Sequence, residues 1–151
     1  MIVLHFGPVK RVGRGSVGRY GLHIQCPWRL EGSDGVLTGR SDLWTRMDPA
    51  AYQDDSWDYD IHPNLLDSRL NEILGRDEIG NIPVNSAWKV VAIVADKFGG
   101  IQLRFRGGRR LTVFPSGSDG EHWRLLGPGS GKKHFVVGHQ GIEEDDTLVA
   151  R

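Results

Sequence analysis

The arginines are the residues whose spacing points most directly to chemistry. Across LRFRGGRRLTV, Leu103 and Phe105 alternate with Arg104 and Arg106, and Leu111 and Val113 alternate with Arg110 and Thr112. Residues two apart on a strand share a face, so the run reads as a hairpin with one apolar and one cationic side. A two-residue loop at Gly107 and Gly108 would mix polar and apolar residues on both faces. A three-residue loop over Gly107, Gly108 and Arg109 keeps the faces separate by setting Phe105 opposite Leu111 and Leu103 opposite Val113. It places Arg104, Arg106 and Arg110 together, where their guanidinium groups would suit the carboxylates or phosphates of a binding partner.

A second group comes from a repeated Trp-Arg-Leu: Trp28-Arg29 and Trp123-Arg124. Burying each tryptophan on a strand turns the arginine beside it to the other face, where Arg29 and Arg124 could converge with Asp42 on an anionic ligand. A third is the acidic, aromatic run DPAAYQDDSWDYDIHP, in which Asp54, Asp55, Trp57, Asp58 and Tyr59 could clamp a basic partner.

Other chemistry has less behind it. The His23-x-x-Cys26 spacing directs the two side chains to opposite faces of a strand, and a zinc site needs four converging ligands or three and a water. The acidic run lacks the glycine and closing glutamate of a calcium loop. Cys26 has no activating neighbour in sequence, and Pro27 after it supplies no amide to an oxyanion hole. The GxG near the N-terminus lacks the third glycine of a dinucleotide fingerprint. No cofactor and no metal are expected, and catalysis is unsupported.

The chain has 151 residues, one cysteine, and 19 basic residues balanced by 19 acidic ones. That length supports one domain, 1–151, with a core that needs no staples. Zero net charge supplies no overall field toward nucleic acid or an anionic membrane. With no apolar stretch near ~20 residues and no leader-like N-terminus, the reading is a soluble cytoplasmic protein whose partner is another protein. The 21 glycines favour tight turns.

The positioning elements follow from periodicity. The stretch from Trp88 to Trp123 reads as a meander forming the core, with Val90 to Ala95 as a strand buried on both faces. Tyr20, Leu22 and Ile24 alternate as a half-buried strand, Pro27 bends it, and Val36 to Leu43 returns as its hairpin mate. Asn64 to Leu74 carries Leu66, Leu70, Ile73 and Leu74 at helical spacing, with Gly75 as the stop. HFVVG is a last short strand. Residues 1–19 read as a mobile glycine-rich arm and 142–151 as a fraying acidic tail. The expected fold is α+β, a twisted antiparallel sheet of about six strands with one main helix packed against it.

Through LHIQCPWRLE, TGRSDLW, LRFRGGRRLTVFP, EHWRLL and HFVVG, from Tyr20 to Gly138, the chain resembles a family of small uncharacterised bacterial proteins, some of which look like immunity proteins that neutralise polymorphic toxins. The resemblance implies a non-catalytic protein-binding module and brings no catalytic residue. The alternatives are a domain binding a small anionic ligand or nucleotide, and a metal-dependent or hydrolytic enzyme.

Overall fold

The computed structural model describes residues 1–13, 15–48, 50, 52, 56–58, 61–75, 86–127 and 134–145. Among these residues ten strands follow one another: β1 (Ile2–Val12), β2 (Gly15–Ile24), β3 (Trp28–Glu31), β4 (Val36–Gly39), β5 (Val90–Ala95), β6 (Ile101–Phe105), β7 (Arg110–Val113), β8 (Glu121–Leu126), β9 (His134–Gly138) and β10 (Gly141–Asp145). The helix α1 (Leu65–Leu74) lies between β4 and β5, and short 3-10 turns cover Arg40–Trp44 and Ser86–Trp88. The class is α+β, as the periodicities indicate. The strands form two five-stranded sheets rather than one of six, ordered β1-β2-β8-β9-β10 and β4-β3-β7-β6-β5. The chain leaves the first sheet after Ile24 and enters the second at Trp28, with Pro27 at the junction.

Two compact units result: residues Met1–Pro27, Val94–Ile101 and Val113–Arg151, and residues Trp28–Ile93 and Gln102–Thr112. In the first, Leu22, Ile24, Trp123, Val136 and Val137 are buried. The Trp123 indole N–H donates to the Gly99 carbonyl at 2.7 Å, which gives the one polar atom of that side chain a partner. Residues 2–12 and 15–19 are not a loose connector but most of the β1–β2 hairpin, interrupted by a bulge between Phe6 and Val9. β8 pairs with β2 only over Gly21 to Ile24, so Val9–Val12 and Gly15–Gly18 pair with each other as a ribbon. Part of the acidic tail also has an ordered role, since β10 pairs with β9 from Gly141 to Asp145.

In the second unit Trp28, Leu30, Leu70, Leu103, Phe105 and Leu111 are buried. α1 starts where expected: the Asn64 side chain accepts the Asp67 N–H at 2.9 Å, and Gly75 at φ 59° closes the other end. This satisfies one of the N–H groups that a first turn leaves without a partner.

The β6–β7 hairpin corrects the expected register. Phe105 N–H donates to the Arg109 carbonyl and Gly108 N–H to that of Phe105, with Gly108 at φ 78°. The loop is therefore Arg106–Gly107–Gly108, and Phe105 lies opposite Arg109 rather than Leu111. The error is two residues, which leaves every side chain on its assigned face. Leu103, Phe105, Leu111 and Val113 are buried while Arg104, Arg106 and Arg110 are exposed.

β5 departs further from its reading. Its apolar run is not buried on both faces: it is an edge strand, with Val91, Ile93 and Val94 more than half exposed. A continuous apolar run says that a segment favours extended structure; it does not say that a neighbour covers it.

Candidate functional site

The strand order β3-β7-β6 sets Arg29 and Glu31 beside Arg110 and Thr112, and these beside Gln102 and Arg104. Alternation turns Leu30, Leu111 and Leu103 to the buried side and this set to the other. At its centre is Glu31. One carboxylate oxygen accepts from Arg29 Nε at 2.7 Å, and the other from Arg110 Nε at 2.5 Å and Thr112 Oγ1 at 3.0 Å. The Glu31 side chain is only 9% exposed, whereas those of Arg29 and Arg110 are 46% and 44% exposed. The Arg110 hydrogen bond, with those of Thr112 and Arg29 behind it, holds the Glu31 carboxyl at about 2 against the opposing effect of burial. Arg104 donates from Nε to Gln102 Oε1 at 3.2 Å. On these three strands and the β6–β7 turn, Glu31 is the only carboxylate among Arg29, Arg104, Arg106, Arg109 and Arg110, so positive charge dominates.

Arg106 sits in the turn, its backbone N–H on the Lys89 carbonyl at 2.9 Å and its side chain exposed. Arg109 lies over the Trp88 ring, 4.8 Å from its centroid. Beside it, the β3–β4 turn at Gly32 to Gly35 and the β6–β7 turn enclose an open cavity of about 430 Å³.

Of the acidic, aromatic loop, Asp54, Asp55 and Tyr59 lie outside the described residues. Trp57 and Asp58 are described: Trp57 lies against an internal cation, and Asp58 bonds His62 through its backbone. Arg46 lies 5.4 Å from the Tyr52 ring and 5.0 Å from that of Trp57, which stacks on His62 at 4.6 Å. The Asp58 carbonyl accepts the His62 backbone N–H. Of the loop's aromatic residues, Tyr52 and Trp57 thus lie against a cation of the same unit.

The two Trp-Arg pairs bury Trp28 and Trp123 as expected. Their arginines bond different carboxylates, Arg29 that of Glu31 and Arg124 that of Glu121, the latter from Nε to Oε1 at 2.9 Å. Asp42, expected to orient both, accepts from Thr38 Oγ1 at 2.8 Å and from the Gly39 N–H at 3.3 Å. Glu121 and Arg124 are three apart and would face opposite ways on a regular strand. A bulge between Glu121 and Trp123, opposite Gly138 and Val137, brings them to one face. Gln25 Nε2 donates to Glu121 at 2.8 Å, and Arg124 holds the Glu121 carboxyl below its usual range. Opposite Arg124 in the register is His23, whose imidazole burial pushes down, with His5 and Arg124 acting the same way and Glu121 against them.

Glu31 and Glu121 are the carboxylates holding these arginines that sequence reasoning missed. Glu31 carries a signal, being two residues from Arg29 on the same strand; Glu121 carries none, because the bulge that aims it leaves no mark in the alternation. Among the described residues no three His, Cys, Asp or Glu side chains are grouped to hold a metal. No described helix is long and apolar enough to cross a membrane. No family model matches the chain, and no curated protein or solved structure matches it.

Proposed function

We propose that the protein is a non-catalytic binding module that docks an acidic surface of a partner protein on its β3-β7-β6 face, an immunity-like role in which occupancy neutralises the partner. The observation that carries this reading is the anchoring of Arg29 and Arg110 on one buried carboxylate, with Arg104 beside them. Guanidinium groups fixed at Nε and half exposed at their ends lose little side-chain freedom on meeting carboxylates, and Arg is enriched at the anchor positions of interfaces. The strand scaffold fixes their spacing, as electrostatic complementarity requires. Action in the cytoplasm fits a sequence with a single cysteine, which has no second cysteine for an internal disulfide.

The test is co-expression with the product of the neighbouring reading frame, followed by titration calorimetry of the purified pair. Arg104→Glu with Arg106→Glu keeps the far-UV spectrum and weakens binding by roughly a hundredfold or more where the pairs are desolvated. A complex indifferent to both reversals and to salt refutes the assignment of this face.

A second reading, a small anionic ligand or nucleotide, has the cavity beside Arg109 in its favour. Its mark is a thermal shift with nucleoside phosphates that Arg109→Ala abolishes and Arg104→Glu spares.

A further inference from the structure

Zero net charge over the whole chain conceals a segregation of charge along it. Residues 1–30 contain Lys10, Arg11, Arg14, Arg19 and Arg29, and the first acidic residue is Glu31. Lys10 and Arg11 lie on the β1–β2 ribbon and Arg19 beside its base, all three exposed. Among the described residues none of these three is held in an ion pair. Charges that merely guard a strand edge can be of either sign. Here every one is positive.

The shape of the ribbon adds a second constraint. Lys10 lies opposite Val17 and Arg11 opposite Ser16 in an uninterrupted register, so the two cations project from opposite faces. The far end is narrow, because Gly13, at φ 59°, has open space where a Cβ would stand. At the near end, Gly7 at φ 78°, Pro8 and the bulge bring β1 so close over β2 that a Cβ on Gly18 would fall 2.7 Å from the Phe6 backbone. The direction in which the ribbon leaves its sheet is thus built into the bulge.

We infer that this ribbon is a nucleic-acid arm, which enters the major groove of B-form DNA and holds the phosphates of both walls. A strand pair about 10 Å thick with its side chains fits a groove about 12 Å wide. From Val9 to Val12 the ribbon advances about 10 Å, against a groove depth of about 8.5 Å. Lys10 and Arg11, on opposite faces, then meet opposite walls, while Arg19 meets a phosphate at the rim. Among the described residues no third strand pairs with Val9–Val12 or Gly15–Gly18, so their outward backbone N–H groups donate to the same phosphates. Insertion of the ribbon into a membrane would leave those groups in hydrocarbon without acceptors. The inference concerns a partner and a surface separate from the β3-β7-β6 face, and it stands or falls independently of the role proposed for that face.

Fluorescence anisotropy of a labelled DNA duplex of about 20 base pairs, titrated with the full chain from about 50 to 200 mM salt, reads the binding. The logarithm of the association constant falls with that of the salt concentration at a slope of about −3, close to −0.9 for each of three phosphate contacts. Lys10→Ala and Arg11→Ala each flatten the slope by about 1 and weaken binding about tenfold at the lowest salt, with unchanged far-UV spectra because both side chains are exposed. Arg69→Ala, which removes an exposed charge from α1, changes neither. An RNA duplex of the same sequence binds about tenfold or more weakly, because its deep, narrow major groove does not admit the ribbon. No binding at the lowest salt, ribbon variants that bind like the wild type, or equal affinity for the RNA duplex overturns the inference. So does a loss carried by Arg104→Glu in place of the ribbon variants, or tighter binding to phosphatidylserine vesicles than to the duplex.

Discussion

Replacing Glu31 by glutamine tests the central carboxylate with almost no change of shape. The carboxyl lies at about 2 against an ordinary 4.5, and the full conversion of that difference is roughly 3 kcal/mol of stability at neutral pH. Both guanidinium partners are close to half exposed, so solvent screening brings the expected loss to about 1–2 kcal/mol. The sign is that of a depressed carboxylate. Its contribution is complete above the unfolded value near 4.5 and disappears as pH falls toward 2. Urea unfolding of the wild type and Glu31→Gln at pH 7 therefore differs by about 1–2 kcal/mol, and the two curves converge between about pH 5 and 2. Thr112→Val, which removes one donor and keeps the carboxylate, costs about 1 kcal/mol and leaves most of the pH dependence in place. Equal stability at pH 7, or a gap that persists undiminished at pH 2, refutes the claim that the Glu31 charge organises the arginines.

Three further outcomes follow from geometry. Gly99→Ala strains a backbone held at φ 84° and drives the new methyl into Val137 Cγ1; a loss of about 2–4 kcal/mol is expected in urea unfolding, with altered tryptophan emission from the Trp123 bond to the Gly99 carbonyl. Asn64→Ala removes the α1 cap and costs about 1–2 kcal/mol, and Asn64→Asp does not restore it, because the buried Asn64 amide also donates to the Asp67 carboxylate, which would repel a second carboxylate. A proton NMR titration places the His23 midpoint below the ordinary 6.5, and Glu121→Gln lowers it further by removing the charge that opposes the shift.

Where a pattern is local, the sequence was sufficient. α1 was legible because Asn64 and Gly75 do their work within a few residues, and the two faces of β6 and β7 because alternation survives a register error of two. What failed depended on neighbours distant in the chain. Val90 to Ala95 has the same residues whether a strand covers it or not, so its position at the edge could not be read. The β1–β2 hairpin reads as an arm in the sequence because Lys10, Arg11 and the glycines hide its alternation. The partition into two sheets rests on the crossing at Gln25 to Pro27, where one proline signals a bend but not a change of sheet. The common face of Glu121 and Arg124 exists only through a bulge whose cause lies across the ladder, at Gly138.

The ribbon formed by Val9–Val12 and Gly15–Gly18 has a dynamic consequence. Among the described residues no third strand pairs with it, so its backbone bonds can open while the rest of the sheet stays closed, and their amides should exchange with solvent far faster than those of Gly21 to Ile24 on the same strand. Trypsin should cut first at Lys10 or Arg11 by this partial opening, at a rate that does not follow global stability. The same independence makes the ribbon tip the natural place to splice in a reporter peptide, because the added length would load two strands and leave the eight others undisturbed.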